Sequence, residues 1–291
     1  MTMQPSAPTV PPAGLRAAPR AGAPDSGPAV GVRVLVTGGT GFLGRQLVPR
    51  LRTAGYTVRL MSRRHPRAGE DAGVEWARAD LRTGAGVAAA VRGVQHVVHA
   101  ATSSQQSSIR PHLEATMTRQ ILQAAGEAGV RHLVYVSIVG IERIPFGYYR
   151  QKLEAEALVQ QGAVPWTILR ATQFHDLLDL FLRLMLWPPV ALLPADLTFQ
   201  PIDPSAVAER LVGCVEAGPR GRVEDIGGPE VRTAGELARS WLEARRVRRV
   251  IVPLWLPGRV AAGFRWGFNT CPEHRAGGQT WEAWLRRRYD S

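Results

Sequence analysis

From Val32 onward, short β-branched runs alternate with stretches whose apolar residues recur every three or four positions. Such alternation predicts βαβ units and a parallel sheet. Residues 32–37 read as a first strand, and 42–54 as a helix ended near Gly55. Residues 57–62, 74–78, 95–100 and 131–137 read as four further strands. Helices at 113–128 and 148–161 flank the last of these, and 165–170 gives a sixth strand. Beyond Arg170 the alternation loosens: a helix at 204–217, a short strand near 223–226, a helix at 234–243 and an apolar β-branched run at 248–252. The Trp-rich stretch 256–288 reads as helical in parts. No internal repeat is found.

The expected fold class is α/β, a Rossmann-type doubly wound parallel sheet with a smaller C-terminal substrate lobe. Residues 1–30 are rich in Pro, Ala and Gly without apolar period, and are expected to be a disordered tail. Residues 31–172 would form the nucleotide-binding core, and 173–291 would partly complete it and build the lobe. The apolar run 177–187 is too short to span a membrane, contains Asp179 and Arg183, and ends at Pro188-Pro189. It reads as a buried or pocket-lining helix, with contact at a membrane surface as the lesser alternative.

Composition narrows the function class. Hydrophobic content of 45% and charged content of 21% describe an ordinary globular chain of 291 residues. Cys214 and Cys271 are too few for a disulfide framework or a metal-ligand cluster, so no metal is expected and a reducing cytoplasm fits. The net charge of +12 raises nucleic acid as a partner. However, the arginines are dispersed, with local clusters at 245–249 and 286–288, and no nucleic-acid-binding motif accompanies them. The charge reads as a solvated surface, and a small molecule as the expected partner. Oligomeric state is not legible.

Thr37-Gly38-Gly39-Thr40-Gly41-Phe42-Leu43-Gly44 directly follows the first strand and opens the first helix. Glycines at 38, 41 and 44 supply a tight turn, room for a pyrophosphate and close helix–sheet packing, and the helix N-terminus offers free N–H groups. At the end of the second strand stand Ser62, Arg63 and Arg64, with no carboxylate. An acidic residue there would hold a ribose 2′-hydroxyl, whereas arginine favours a 2′-phosphate, so NADP(H) is preferred and NAD(H) is the alternative.

Among 36 basic residues Lys152 is the one lysine, and it stands four residues after Tyr148. Arginine cannot be deprotonated, while lysine is a compact charge with a responsive pKa. On a helix, residues four apart share a face, and a cation near a tyrosine stabilises its phenolate. A surface lysine on an amphipathic helix is the plainer alternative.

With the glycine loop, Tyr148 and Lys152 together, the chain resembles the short-chain dehydrogenase/reductase superfamily, in its extended and atypical NmrA-like, epimerase-like branch. Asp80-Leu81 after the third strand, His99-Ala100-Ala101 after the fourth, Ser137 at the end of the fifth and Leu169-Arg170-Ala171-Thr172 after the sixth fall in the same order. The resemblance implies that Asp80 and Leu81 meet the adenine, Ala100 and Ala101 line the cofactor, and Thr172 lies near the nicotinamide. It further implies that Lys152 binds the nicotinamide ribose and lowers the pKa of Tyr148, the proton donor or acceptor, and that Ser137 orients the substrate oxygen. The chain departs from the pattern in the short interval from Ser137 to Tyr148 and in Glu114, which stands where extended members often carry asparagine. Tyr149 is an alternative hydroxyl, and His175 a candidate pocket residue or a structural one. Trp255, Trp266, Trp281 and Trp284 read as packing residues.

The expected function is an NADP(H)-dependent oxidoreductase transferring hydride to or from a small, fairly hydrophobic carbonyl, alcohol or quinone-like substrate. The alternatives are a non-catalytic NAD(P)-binding sensor or regulator and a sugar-nucleotide epimerase or dehydratase.

Overall fold

A computed structural model describes residues 31–66, 69, 73–103 and 112–290. The expected tail at 1–30 lies outside the described residues. The order begins with β1 (Arg33–Thr37), α1 (Phe42–Thr53), β2 (Thr57–Ser62), β3 (Glu75–Arg78), α2 (Val87–Val91) and β4 (His96–His99). It continues with α3 (Leu113–Glu127), β5 (His132–Ile138), α4 (Gly147–Gln161), β6 (Trp166–Ala171) and α5 (His175–Met185). Then come β7 (Val190–Leu193), β8 (Thr198–Phe199), α6 (Pro204–Ala217), β9 (Gly221–Arg222) and β10 (Arg232–Thr233). The last elements are α7 (Ala234–Ala244), β11 (Val250–Pro253), α8 (Arg259–Arg265) and α9 (Trp281–Tyr289).

The main sheet runs β3-β2-β1-β4-β5-β6-β9, and every pairing in it is parallel. The order reverses between β1 and β4, so their outgoing loops part there and open a crevice. Strands buried on both faces read as continuous apolar runs, as in Val34-Leu35-Val36 and Leu133-Val134-Tyr135, all fully buried. One apolar layer joins the sheet to α2, α3 and α4, and a second joins it to α1 and α6. The expected strand at 223–226 is displaced: β9 forms at Gly221–Arg222, and Ile226 contributes only an isolated bridge to Ala171.

The C-terminal lobe has its own core. Leu178, Leu182 and Leu186 pack with Ala191, Leu193, Trp241, Trp281, Trp284 and Leu285. Trp281 and Trp284 stack with centroids 5.4 Å apart and planes 7° from parallel. Strand β7 pairs in parallel with β11 across some sixty residues of chain. Two readings change here. The run 177–187 is apolar on both faces, so part of it builds this core and part is exposed. Trp255 and Trp266 are surface residues, 67% and 69% exposed.

Candidate active site at the sheet switch point

Helices α6, α7 and α9 begin with side-chain caps: Asp203 accepts from Ser205 N, Thr233 and Glu236 form a capping box, and Thr280 accepts from Ala283 N. Helix α1 has no such cap, and its N-cap is Gly41. Helices α2, α3, α4, α5 and α8 lack one as well, but α1 alone follows the glycine turn after β1, which leaves its first-turn N–H groups available to an anion. The glycines are required by packing. Gly38 has φ +72°, and a Cβ there would come within 2.8 Å of the Ala100 backbone. A Cβ on Gly44 would lie 2.3 Å from the Cα of Gly39. Thr40 and Leu43 fill out the turn, Leu43 is buried beneath it, and Phe42 is exposed at its lip. The loop therefore presents backbone and glycine Cα to the crevice, which fits a dinucleotide pyrophosphate.

Across the crevice the loop after β4 is fixed to β1. Thr37 Oγ1 accepts from Ala101 N at 3.1 Å and lies 2.7 Å from His99 Nδ1. His99 is buried, and desolvation lowers its pKa to about 4, so it is a neutral ring bound to Thr37. At the β2 end, Ser62 Oγ accepts from Arg64 N at 3.2 Å, and the Arg64 guanidinium lies 5.5 Å from the Trp76 ring centroid. Arg63 follows Ser62 directly. Arg82 clamps the Asp80 carboxylate at 2.7 Å, holding its pKa below the usual range. Leu81 is buried in the core on the α2/α3 side.

The tyrosine and the lysine share the first turns of α4 but serve different partners. Tyr148 is half-buried, with its hydroxyl 2.6 Å from Thr102 Oγ1. Lys152 is buried and donates to Glu114 Oε1 at 3.0 Å and to the Val136 carbonyl at 2.8 Å, above the Tyr135 ring. Glu114 is fully buried. Its carboxylate also accepts from Ser103 N and Oγ at 2.8 and 2.9 Å, from Thr102 Oγ1 at 3.3 Å and from Tyr135 at 3.3 Å. Burial pulls the Glu114 pKa up, but the Lys152 charge and the Ser103 N–H prevail and hold it below the usual range. For Tyr148 the direction is upward: burial raises its pKa, the Glu114 charge raises it further, and the Thr102 bond opposes both. The balance on Tyr148 in this structure is upward, set first by burial and then by the Glu114 charge, whereas the resemblance implies a lowering by Lys152.

Ser137 is buried, and its hydroxyl finds no hydrogen-bond partner among the described residues, so it does not join Tyr148. Thr172 Oγ1 accepts from Gly228 N at 3.3 Å, tying β6 to the lobe. Tyr149 is buried against Phe146 and Phe264. His175 is buried beside Trp281 and Trp284, and burial lowers its pKa to about 4. Thr102 and Ser103 were not singled out from the sequence. The available signal was their position immediately after His99-Ala100-Ala101, at the same switch point.

These features define a dinucleotide-binding protein of the short-chain dehydrogenase/reductase type. Comparison with known proteins agrees. The NAD(P)H-binding family profile matches residues 38–177. A (4-alkanoyl-5-oxo-2,5-dihydrofuran-3-yl)methyl phosphate reductase from Streptomyces griseus is 31% identical over 214 residues, covering 70% of each chain. Photosystem II assembly factor Ycf39 from Trieres chinensis is 29% identical over 153 residues, 49% of this chain and 46% of that one. Among solved structures, NADPH-dependent quinone oxidoreductase QOR2 of Escherichia coli superposes with a TM-score of 0.71 at 20% identity, covering 88% of this chain and 99% of that one. UDP-glucose 4-epimerase of Thermus thermophilus with NAD gives 0.69 at 22%, covering 89% and 98%. The chain belongs to the NAD(P)H-binding family.

Proposed function

We propose that this chain is an NADP(H)-dependent reductase acting on a small, fairly hydrophobic carbonyl or quinone-like compound. The observation that carries the reading is the half-buried Tyr148 hydroxyl, held by Thr102 beside the crevice that the uncapped α1 opens. The cofactor, when bound, supplies or accepts the hydride. The chain's own residues would do the rest. Gly38, Thr40, Gly41, Phe42, Leu43 and Gly44 would hold the pyrophosphate, Ser62, Arg63 and Arg64 the 2′-phosphate, and Asp80 and Leu81 the adenine. Ala100, Ala101, Lys152 and Thr172 would border the nicotinamide half.

Tyr148 would donate a proton to the substrate oxygen as hydride reaches its carbon. The raised pKa keeps the hydroxyl in the protonated form that donates, while making it a weaker acid than a tyrosine tuned toward neutral pH. Ser137, with its unsatisfied hydroxyl, would be the candidate to orient that oxygen once substrate is bound. Beside Tyr148 the surface is apolar, with Ile138, Phe264 and Phe268 packed in one cluster and Phe146 exposed at its edge. This supports a hydrophobic substrate better than the run 177–193 does. The likeness to a reductase that acts on a phosphate ester of a butenolide supports the reaction class.

NADPH consumption against a panel of carbonyls and quinones tests the proposal. Turnover that persists undiminished in Tyr148→Phe would remove the tyrosine from the mechanism. A second reading, an NADP(H)-binding regulator without turnover, is favoured by the Lys152–Glu114 pair, since the charge that would activate a tyrosine is already neutralised. It requires cofactor affinity with no oxidation of NADPH by any member of the panel.

A further inference from the structure

The lobe exposes many of its large apolar side chains. Leu177, Phe181 and Leu184 form an exposed stripe along α5 with spacings of four and three residues, and it runs on to Trp187, which is 81% exposed. The chain then enters β7. Val190 and Leu192 are register partners of Val250 and Val252 on β11, and all four are exposed. Side chains on a strand alternate between faces, so the outer face of this pair is wholly aliphatic while Ala191 and Leu193 are buried beneath it. Two residues beyond β11 stands Trp255, whose ring is 5.4 Å from the Arg265 guanidinium next to the exposed Trp266. Soluble chains rarely leave so many large apolar side chains exposed in one lobe without a partner for them.

The charge beside this face is mainly basic, with Asp176, Asp179 and Glu243 the acids next to it in sequence and Asp196 paired to Arg265. Residues 180–193 and 244–266 contain no Asp or Glu, while the second segment holds Arg245, Arg246, Arg248, Arg249, Arg259 and Arg265. Arg246, Arg248 and Arg259 are exposed, and Arg249 donates to the Leu186 carbonyl at 3.2 Å, which brings the arginine loop to the end of the α5 stripe. A second copy of the chain docked on this face would bring two arginine rims together. An anionic lipid surface complements them. Aliphatic side chains suit the acyl boundary, tryptophans the headgroup level, and arginines the phosphate layer.

We propose that this face is a peripheral docking surface for an anionic bilayer. No helix among the described residues is long and apolar enough to cross a membrane, so the contact would be one of lying on the surface. Arg246 and Arg248 would engage lipid phosphates while Leu184, Trp187, Leu192 and Val252 enter the interface.

The test is co-sedimentation of the full chain with mixed phosphatidylcholine/phosphatidylglycerol vesicles and with pure phosphatidylcholine vesicles. The expected result is partitioning at least about tenfold stronger to the anionic vesicles, weakened by salt. Arg246→Gln and Arg248→Gln should each lower it roughly fivefold, and the exposed-site pair Trp187→Glu and Leu192→Glu should abolish it. Both variants keep the lobe core, and circular dichroism and unfolding midpoints should match the parent. Absence of binding to anionic vesicles at low salt would overturn the proposal. So would binding that the glutamate pair leaves intact, which would reduce it to net charge. A dimer that the same pair dissociates would assign the face to a second copy, and vesicle binding gained only on deleting residues 1–30 would assign it to that segment. Either outcome also overturns the proposal.

Discussion

Lys152 and Glu114 form a buried ion pair 3.0 Å long, joining α4 to α3 over 38 residues of sequence. Neither side chain reaches solvent. The pair gives the retained lysine a buried partner, and the Glu114 charge adds to burial, the larger cause, in raising the Tyr148 pKa.

Breaking this pair from either side should leave an uncompensated buried charge. Lys152→Met is expected to cost about 3–5 kcal/mol, and Glu114→Gln a comparable amount lessened by the amide's remaining hydrogen bonds. The double variant should lose less than the sum. Urea unfolding of the three variants measures it, and strict additivity would mean the two groups do not interact.

Tyr148 should remain a proton donor well into alkaline conditions. The reduction rate of the wild type should show no loss assignable to tyrosine ionisation below about pH 10, the ordinary tyrosine value. In Glu114→Gln the negative charge that raises it is gone, and the alkaline limb should move downward. A pH profile of kcat for both proteins decides this. Tyr148→Phe should reduce kcat by about 10²- to 10⁴-fold with cofactor affinity unchanged.

Acid should destabilise the fold through three buried imidazoles. His99 and His175 are lowered to about 4 and His132 to about 3, each mainly by desolvation. Between about pH 6.5 and 4 the unfolded chain therefore binds more protons, and stability falls as pH falls through that window. The loss is on the order of 2 kcal/mol per ring between pH 6.5 and 5. His175, with neither ring nitrogen hydrogen-bonded to a described residue, gives the cleanest check. His175→Phe should diminish the difference between unfolding at neutral pH and at pH 5 by about that amount.

Cofactor choice should rest on the β2 end. Arg64→Ser is expected to weaken NADPH binding by roughly ten- to a hundredfold, the loss of one charge-assisted contact, and to leave NADH nearly unchanged. Fluorescence titration of both cofactors measures the ratio. Equal weakening of the two would place Arg64 in folding and not in phosphate recognition.

The sequence by itself determined the parallel core and the phosphate turn. Apolar period and strand–glycine–helix order are local properties, and each reports directly on burial and backbone freedom at positions such as Val34–Val36, Gly38 and Gly44. It also located Tyr148 and Lys152, because a spacing of four on a helix needs no tertiary information. What Lys152 touches was decided only by the packing of α3 against α4, since Glu114 becomes its partner through space. The two-sided character of 177–193 was decided likewise. An apolar residue has the same pattern whether it faces a core or solvent, and the parallel pairing of β7 with β11 fixes which of these residues are covered. Periodicity says that a face is apolar, and only the folded chain says what covers it.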